Sequence, residues 1–171
     1  VKGVRLKAQK ILQIAVLSLF LFLLLPAQAS AADQWWNASW KNRFKLDISS
    51  NSLTLENWPV ERDLNFSQLL AQAGSANVSW DNNSLRVIEY NSTGSLLYEV
   101  SSQFDTAQGY SVANAVGTLV FEMNGSTAPS ATRYYYVYFD SIAAGAKPAA
   151  SYSSSLAYSW NGEEFGVNNS K

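Results

Sequence analysis

The sequence predicts an all-β fold: an antiparallel β-sandwich of jelly-roll or lectin-like type with at most one short helix. Three observations predict it. Apolar/polar alternation of period 2 recurs through residues 40–140, the pattern of strands with one buried face. Turn signals punctuate that alternation every ~8–20 residues. Only one stretch carries helical spacing. An open barrel is the second architecture compatible with this pattern.

Taken in order, Trp40 to Ser49 places Phe44, Leu46 and Ile48 on one side and Arg43, Lys45 and Asp47 on the other. Val60 to Phe66 alternates again after Pro59. Phe66, Leu69, Leu70 and Ala73 fit a short helix, with Asn65 or Ser67 to cap it and Gly74 to end it. Ser75 to Ser84 reads as a polar loop. Leu85–Tyr90 and Leu96–Val100 flank the turn Asn91-Ser92-Thr93-Gly94 and predict a hairpin. Gly117–Met123 and Arg133–Asp140 predict a second hairpin through Asn124–Thr132. That makes six strands.

The chain is preceded by a segment of different character. Lys2, Arg5, Lys7 and Lys10 are followed by an apolar run of 15 residues, Ile11–Leu25, and then by Pro26-Ala27-Gln28-Ala29-Ser30-Ala31-Ala32. A basic start, an apolar core and an A-x-A stretch predict a secretory signal peptide over 1–32. As a helix the apolar run rises about 22 Å, short of the roughly 30 Å hydrocarbon core. The domains expected are therefore the signal at 1–32, the sandwich at 33–142, an Ala/Ser-rich linker at 143–158, and at 159–171 the start of a further element that continues past Lys171. The localisation implied is secreted or cell surface, with membrane contact only through the signal if it stays uncleaved.

Composition then excludes several function classes. Four of the 12 basic residues lie in 1–32 and all 13 acidic residues lie after it, so the remainder carries a net charge of −5. A mildly acidic chain without basic clusters argues against nucleic acid. The chain has no Cys and no His. That removes thiolate chemistry, the Ser-His-Asp triad and the commonest transition-metal ligand, and no cofactor or metal is expected. N-x-S/T sequons stand at Asn37, Asn65, Asn77, Asn82, Asn91, Asn124 and Asn168, candidate glycan acceptors in an exported chain.

Four segments carry a resemblance in their order: Trp40-Lys41-Asn42-Arg43, Trp58-Pro59-Val60, Ser84-Leu85-Arg86-Val87-Ile88-Glu89 and Arg133-Tyr134-Tyr135-Tyr136-Val137-Tyr138-Phe139. Over about Trp35 to Asp140 the chain resembles a domain of unknown function found near the N-terminus of large exported proteins, many archaeal and some bacterial. That domain often sits beside lectin-like or carbohydrate-active domains. The resemblance implies a β-rich surface module and brings no catalytic residues with it.

Within the aromatic strand, alternation puts Tyr134, Tyr136 and Tyr138 on one face and Tyr135, Val137 and Phe139 on the other, core, face. The tyrosine stripe fits either a second buried layer of a central strand or a sugar-binding platform, since each ring offers a flat apolar face and a polar tip. Trp80, in the polar loop, is expected to be the most exposed tryptophan and joins Tyr134, Tyr136 and Tyr138 as a candidate ligand contact. Trp35 and Trp36 are less constrained; core or interdomain packing is the favoured reading, and stacking on a ligand is the other. For catalysis only carboxylates remain, with Glu89, Glu99, Asp105 and Glu122 the candidates; Glu89 and Glu99 flank the same turn and also have Arg86 and Arg133 as natural partners. Asp81-Asn82-Asn83-Ser84 lacks the Gly and terminal Glu of a calcium loop and reads as an Asx-rich turn.

These readings converge on a non-catalytic extracellular module, of carbohydrate-binding, adhesion or structural type, at the N-terminus of a larger exported glycoprotein. Its expected partners are a polysaccharide or surface glycan and other domains of the parent chain. The alternatives are an accessory domain of a secreted polysaccharide-degrading enzyme and a carboxylate-based glycosidase.

Overall fold

The structure, a computed structural model, describes residues 33–151. The predicted signal, Asn168 and the element predicted at 159–171 lie outside the described residues. Seven strands run antiparallel: β1 (Asn42–Ser49), β2 (Leu55–Asn65), β3 (Trp80–Tyr90), β4 (Leu96–Val100), β5 (Ser102–Thr106), β6 (Val116–Thr127) and β7 (Thr132–Ser141), with one helix, α1 (Phe66–Gln72). They form a four-stranded sheet, β1-β7-β3-β4, and a three-stranded sheet, β2-β6-β5. The all-β, sandwich-like prediction with one short helix holds. No helix among the described residues is long and apolar enough to cross a membrane.

The alternation read from the sequence decides which faces meet. Leu85, Val87, Tyr135, Val137 and Phe139 of the larger sheet share one core with Leu119, Phe121 and Met123 of the smaller. The helix closes one end of that core. Asn65 caps it, its side chain accepting from the Gln68 amide at 3.0 Å, and Gly74 leaves it at φ +86°. Phe66 and Leu70, one turn apart, point into the core and are fully buried.

Three sequence expectations are corrected here. The segment 75–84 is not all loop, because β3 begins at Trp80, which pairs with Ser141. Its ladder with β7 shifts register between Asp81 and Arg86, and this irregularity broke the alternation that would have announced a strand. Trp80 is 1% exposed rather than the most exposed ring. It stacks on Phe66 with centroids 4.3 Å apart and planes 7° from parallel. The predicted hairpin of β6 with β7 does not form either. Both edges of β6 are taken by β2 and β5, and both edges of β7 by β1 and β3, so the connection between them crosses from one sheet to the other.

β5 escaped the sequence reading because Ser-Gln-Phe-Asp-Thr has the composition of a loop. Only Phe104 packs inward, edge-on to Trp80 at 5.0 Å. Where β5 meets β6, a side chain on Gly117 would collide with the Asp105 carbonyl at 2.3 Å and the Phe104 ring at 2.8 Å. Gly117→Ala must therefore push β5 off the sheet. A loss of about 1–3 kcal/mol is expected in thermal unfolding.

Part of the predicted linker also belongs to the folded unit. After β7 and a 3-10 turn (Ile142–Ala144), Lys147 is buried, its amide donates to Asp81 Oδ2 at 2.7 Å, and the Pro148 carbonyl accepts from Arg86 at 2.7 Å. Ala/Gly/Ser-rich composition signalled flexibility, but one basic side chain with a buried carboxylate within reach holds the segment down.

Candidate functional site

The outer face of β1, β7 and β3 gathers most of the residues singled out from the sequence. Register pairs Arg43 with Tyr138, Lys45 with Tyr136 and Asp47 with Tyr134; from the other side β3 brings Arg86, Ile88 and Tyr90 against the same three tyrosines. The stripe is therefore real. Its two faces are as the alternation predicted, with Tyr135, Val137 and Phe139 in the inter-sheet core.

Arg43 organises this face. Its guanidinium carbon lies 4.0 Å from the Tyr136 ring centre and 4.4 Å from that of Trp35. Nη1 donates to Tyr138 Oη at 2.9 Å and to the Gln34 carbonyl at 2.7 Å, and Nη2 donates to the Asp33 carbonyl at 2.9 Å. The Trp36 amide also donates to Tyr138 Oη, at 2.9 Å. With both acceptor positions taken, Tyr138 directs its own proton to Tyr90 Oη, 2.7 Å away.

The result is a strap. Residues 33–40 run across the outer face, held by these bonds, by Tyr136 donating to Asp33, and by the Gln34 amide on the Gly94 carbonyl at 2.9 Å. Trp36 meets Trp40 edge-on at 4.8 Å. Tyr138 lies wholly beneath the strap at 0% exposure, and Tyr134 and Tyr136 are half-buried. Two of the four predicted ligand-contact residues, Tyr138 and Trp80, are therefore corrected. Neither presents a ring to solvent, because each ring is already covered by aromatic side chains of the same chain. Trp35 is the exposed ring on this side, at 40%.

Burial pushes the Tyr136 hydroxyl up from 10.0 to about 12, and the bond to Asp33 adds to the rise while Arg43 opposes it. The folded protein keeps this proton where the unfolded chain has lost it. Stability is then complete below pH 10 and declines as pH rises from 10.0 toward about 12. Denaturation midpoints measured across that window are expected to fall more steeply for the native chain than for Tyr136→Phe. Equal slopes would assign the decline to other groups.

Beside the strap lies a groove of about 790 Å³ whose lining includes Trp36, Trp40, Lys41, Arg86, Glu99 and Lys147. Its buried charges are engaged within the protein. Arg86 pairs with Glu99 at 3.2 Å and donates to the carbonyls of Asn83, Leu85 and Pro148. Burial moves the Glu99 carboxyl upward against the opposing pull of Arg86. Lys147 Nζ sits 3.0 Å from Asp140 Oδ2. Both cations lie near the Trp40 ring, Arg86 5.5 Å and Lys147 5.6 Å from its centre, and the ring Nε1 donates to the Ser84 carbonyl at 2.6 Å.

The candidate carboxylates point in different directions. Ile88 pairs with Glu99 and Glu89 with Tyr98, so Glu89 and Glu99 occupy opposite faces of the sheet. Glu89 meets Arg133 through two bonds, one of 2.8 Å. Asp105 is exposed and accepts from Gln103 at 3.1 Å, and Glu122 lies on β6 in the other sheet. Asp81 forms the expected Asx turn, its Oδ1 accepting from the Asn83 amide at 3.1 Å. No group of three or more acidic, His or Cys side chains among the described residues is placed to hold a metal ion.

Among the sequons, Asn77, Asn82 and Asn124 are exposed. Asn65 serves as the helix cap, Asn37 accepts from the Ser39 amide at 2.9 Å, and Asn91 accepts from Thr93 and Ser95 within its turn. The hydroxyl of Ser84, which completes the Asn82 sequon, is fully buried and bonded to the Asp81 carbonyl.

Set against known families, characterised proteins and solved structures, the chain matches none of them.

Proposed function

We propose that the chain is a non-catalytic extracellular or cell-surface module of structural type, exported by its N-terminal signal and placed near the start of a larger glycoprotein. The observation that carries this reading is the strap: the aromatic face suited to a ligand is closed by the protein's own residues 33–40. The paired carboxylates and the resemblance to N-terminal domains of large exported proteins support it further. Two measurements test it. N-terminal sequencing of exported material is expected to begin at Asp33. A glycan array probed with the exported chain is expected to show no specific binding.

One observation favours a carbohydrate-binding reading instead. Trp35 is exposed at the rim of a second groove, of about 480 Å³, bounded by Arg43, Leu69 and Tyr136. If the array does show binding, Trp35→Ala is expected to abolish it. Tyr136→Ala would then weaken it both by removing part of the groove wall and by loosening the strap.

A further inference from the structure

We propose that this module bears tension along its chain, and that the buried Asp140 cluster is the lock that holds both of its ends. The proposal rests on the structural-module reading above. It starts from the topology. β1 is an edge strand whose first residue, Asn42, pairs with Phe139 near the end of β7. The chain therefore enters β1 and leaves β7 at the same end of one antiparallel ladder. Tension between the two flanks would open that ladder as a zip. Bonds perpendicular to the strands would break one at a time, starting at Asn42, and such a geometry resists force poorly.

Just ahead of that point both flanks are fastened to one buried carboxylate. Asp140 is fully buried. From the incoming side it accepts from the Lys41 amide at 3.1 Å and from Asn42 Nδ2 at 3.0 Å. From the outgoing side it takes the Lys147 ammonium at 3.0 Å. Each flank has a second fastening. Trp40 Nε1 holds the Ser84 carbonyl at 2.6 Å on the entry side; Lys147 N on Asp81 and Arg86 on the Pro148 carbonyl, each 2.7 Å, hold the exit side. The Trp40 ring, on the entry side, lies within 5.6 Å of Lys147 on the exit side and 5.5 Å of Arg86. On the exit flank force reaches this cluster before the β1–β7 ladder; on the entry flank the strap bonds of residues 33–36 are loaded first, and once they part the force falls on the cluster. The cluster must be broken as a unit, and its ions are shielded from water.

This accounts for a costly arrangement. Two buried carboxylates, Asp81 and Asp140, and two buried cations, Arg86 and Lys147, lie where apolar residues would fold as well. Their placement is explained by what they join.

The test is single-molecule pulling of the exported chain between cysteines introduced at the exposed Ser39, past the strap bonds, and at Ser151, unique attachment points because the chain has no cysteine. Lys147→Met is expected to unfold about tenfold faster than the native chain at a given force. Since that variant leaves Asp140 unpaired and could fold poorly, the pair D140N/K147M serves as a second probe. It removes both charges, so equilibrium stability should return toward native while fast mechanical unfolding persists. Leu70→Ala, a core change off the loading path, should change the rate under force by less than about twofold despite its equilibrium cost. Native-like force resistance in both Lys147 variants, or an equal loss in Leu70→Ala, overturns the lock. Specific glycan binding on the array would overturn the structural-module reading instead and leave the pulling result as it stands.

Discussion

Asp140→Ala is expected to cost about 3–5 kcal/mol of unfolding free energy, read as a lowered urea midpoint at neutral pH with an unchanged slope. The magnitude follows from burial. Asp140 has no exposure, and it faces the Lys147 ammonium at 3.0 Å, the Lys41 amide and Asn42. Removing it leaves a buried cation whose remaining bond is to the Gly145 carbonyl at 2.9 Å, together with an amide that loses its acceptor. An uncompensated buried charge is among the largest single-residue penalties a fold can incur. Asp140→Asn keeps the size and an acceptor oxygen and is expected to cost less. A near-native midpoint for Asp140→Ala would mean that residues 145–148 do not pack as described.

Trp80→Ala is expected to cost a similar amount, about 3–5 kcal/mol, through a cavity that the sheets cannot close. Trp80 touches Phe66 face to face and Phe104 edge-on, so its loss loosens helix, β3 and β5 together. Its ring nitrogen is buried without a hydrogen-bond partner. Trp80→Phe keeps most of the stacking and removes that unsatisfied group, so it should recover much of the loss. The two variants separate burial from exposure: a solvent-facing ring would make both nearly neutral.

β1 was legible because its two faces differ, one meeting the opposite sheet. The second half of β3, β4 and β7 were legible from apolar, aromatic and β-branched runs beside turn signals rather than from contrast between faces, and α1 announced itself through Asn65, Gly74 and the spacing of Phe66, Leu69 and Leu70. The elements that stayed hidden have neither signal. β5 is polar apart from Phe104, and the first half of β3 carries an irregular ladder with Asp81, Asn82 and Asn83. Local composition cannot show that such segments are strands, because their ladder partners lie far along the chain.

The candidate site was partly legible for the same reason. Alternation grouped Tyr134, Tyr136 and Tyr138 correctly, and the charged partners of Glu89 and Glu99 were visible as Arg133 and Arg86. The strap was not visible, because nothing local to Asp33–Trp40 says that Arg43 will draw two of its backbone carbonyls onto the sheet. The role of Lys147 was hidden likewise inside a stretch with linker composition.

The sequence by itself determined the class of the fold, the faces of its main strands, the helix with its cap, and the absence of thiol and imidazole chemistry. These are properties of residue type and of period along the chain. Tertiary structure alone decided that β6 and β7 part into different sheets, that Trp80 and Tyr138 are covered, and that both flanks meet at Asp140. Those outcomes depend on which distant groups compete for the same edge, ring or buried charge, and that competition is settled only when the two sheets close on each other.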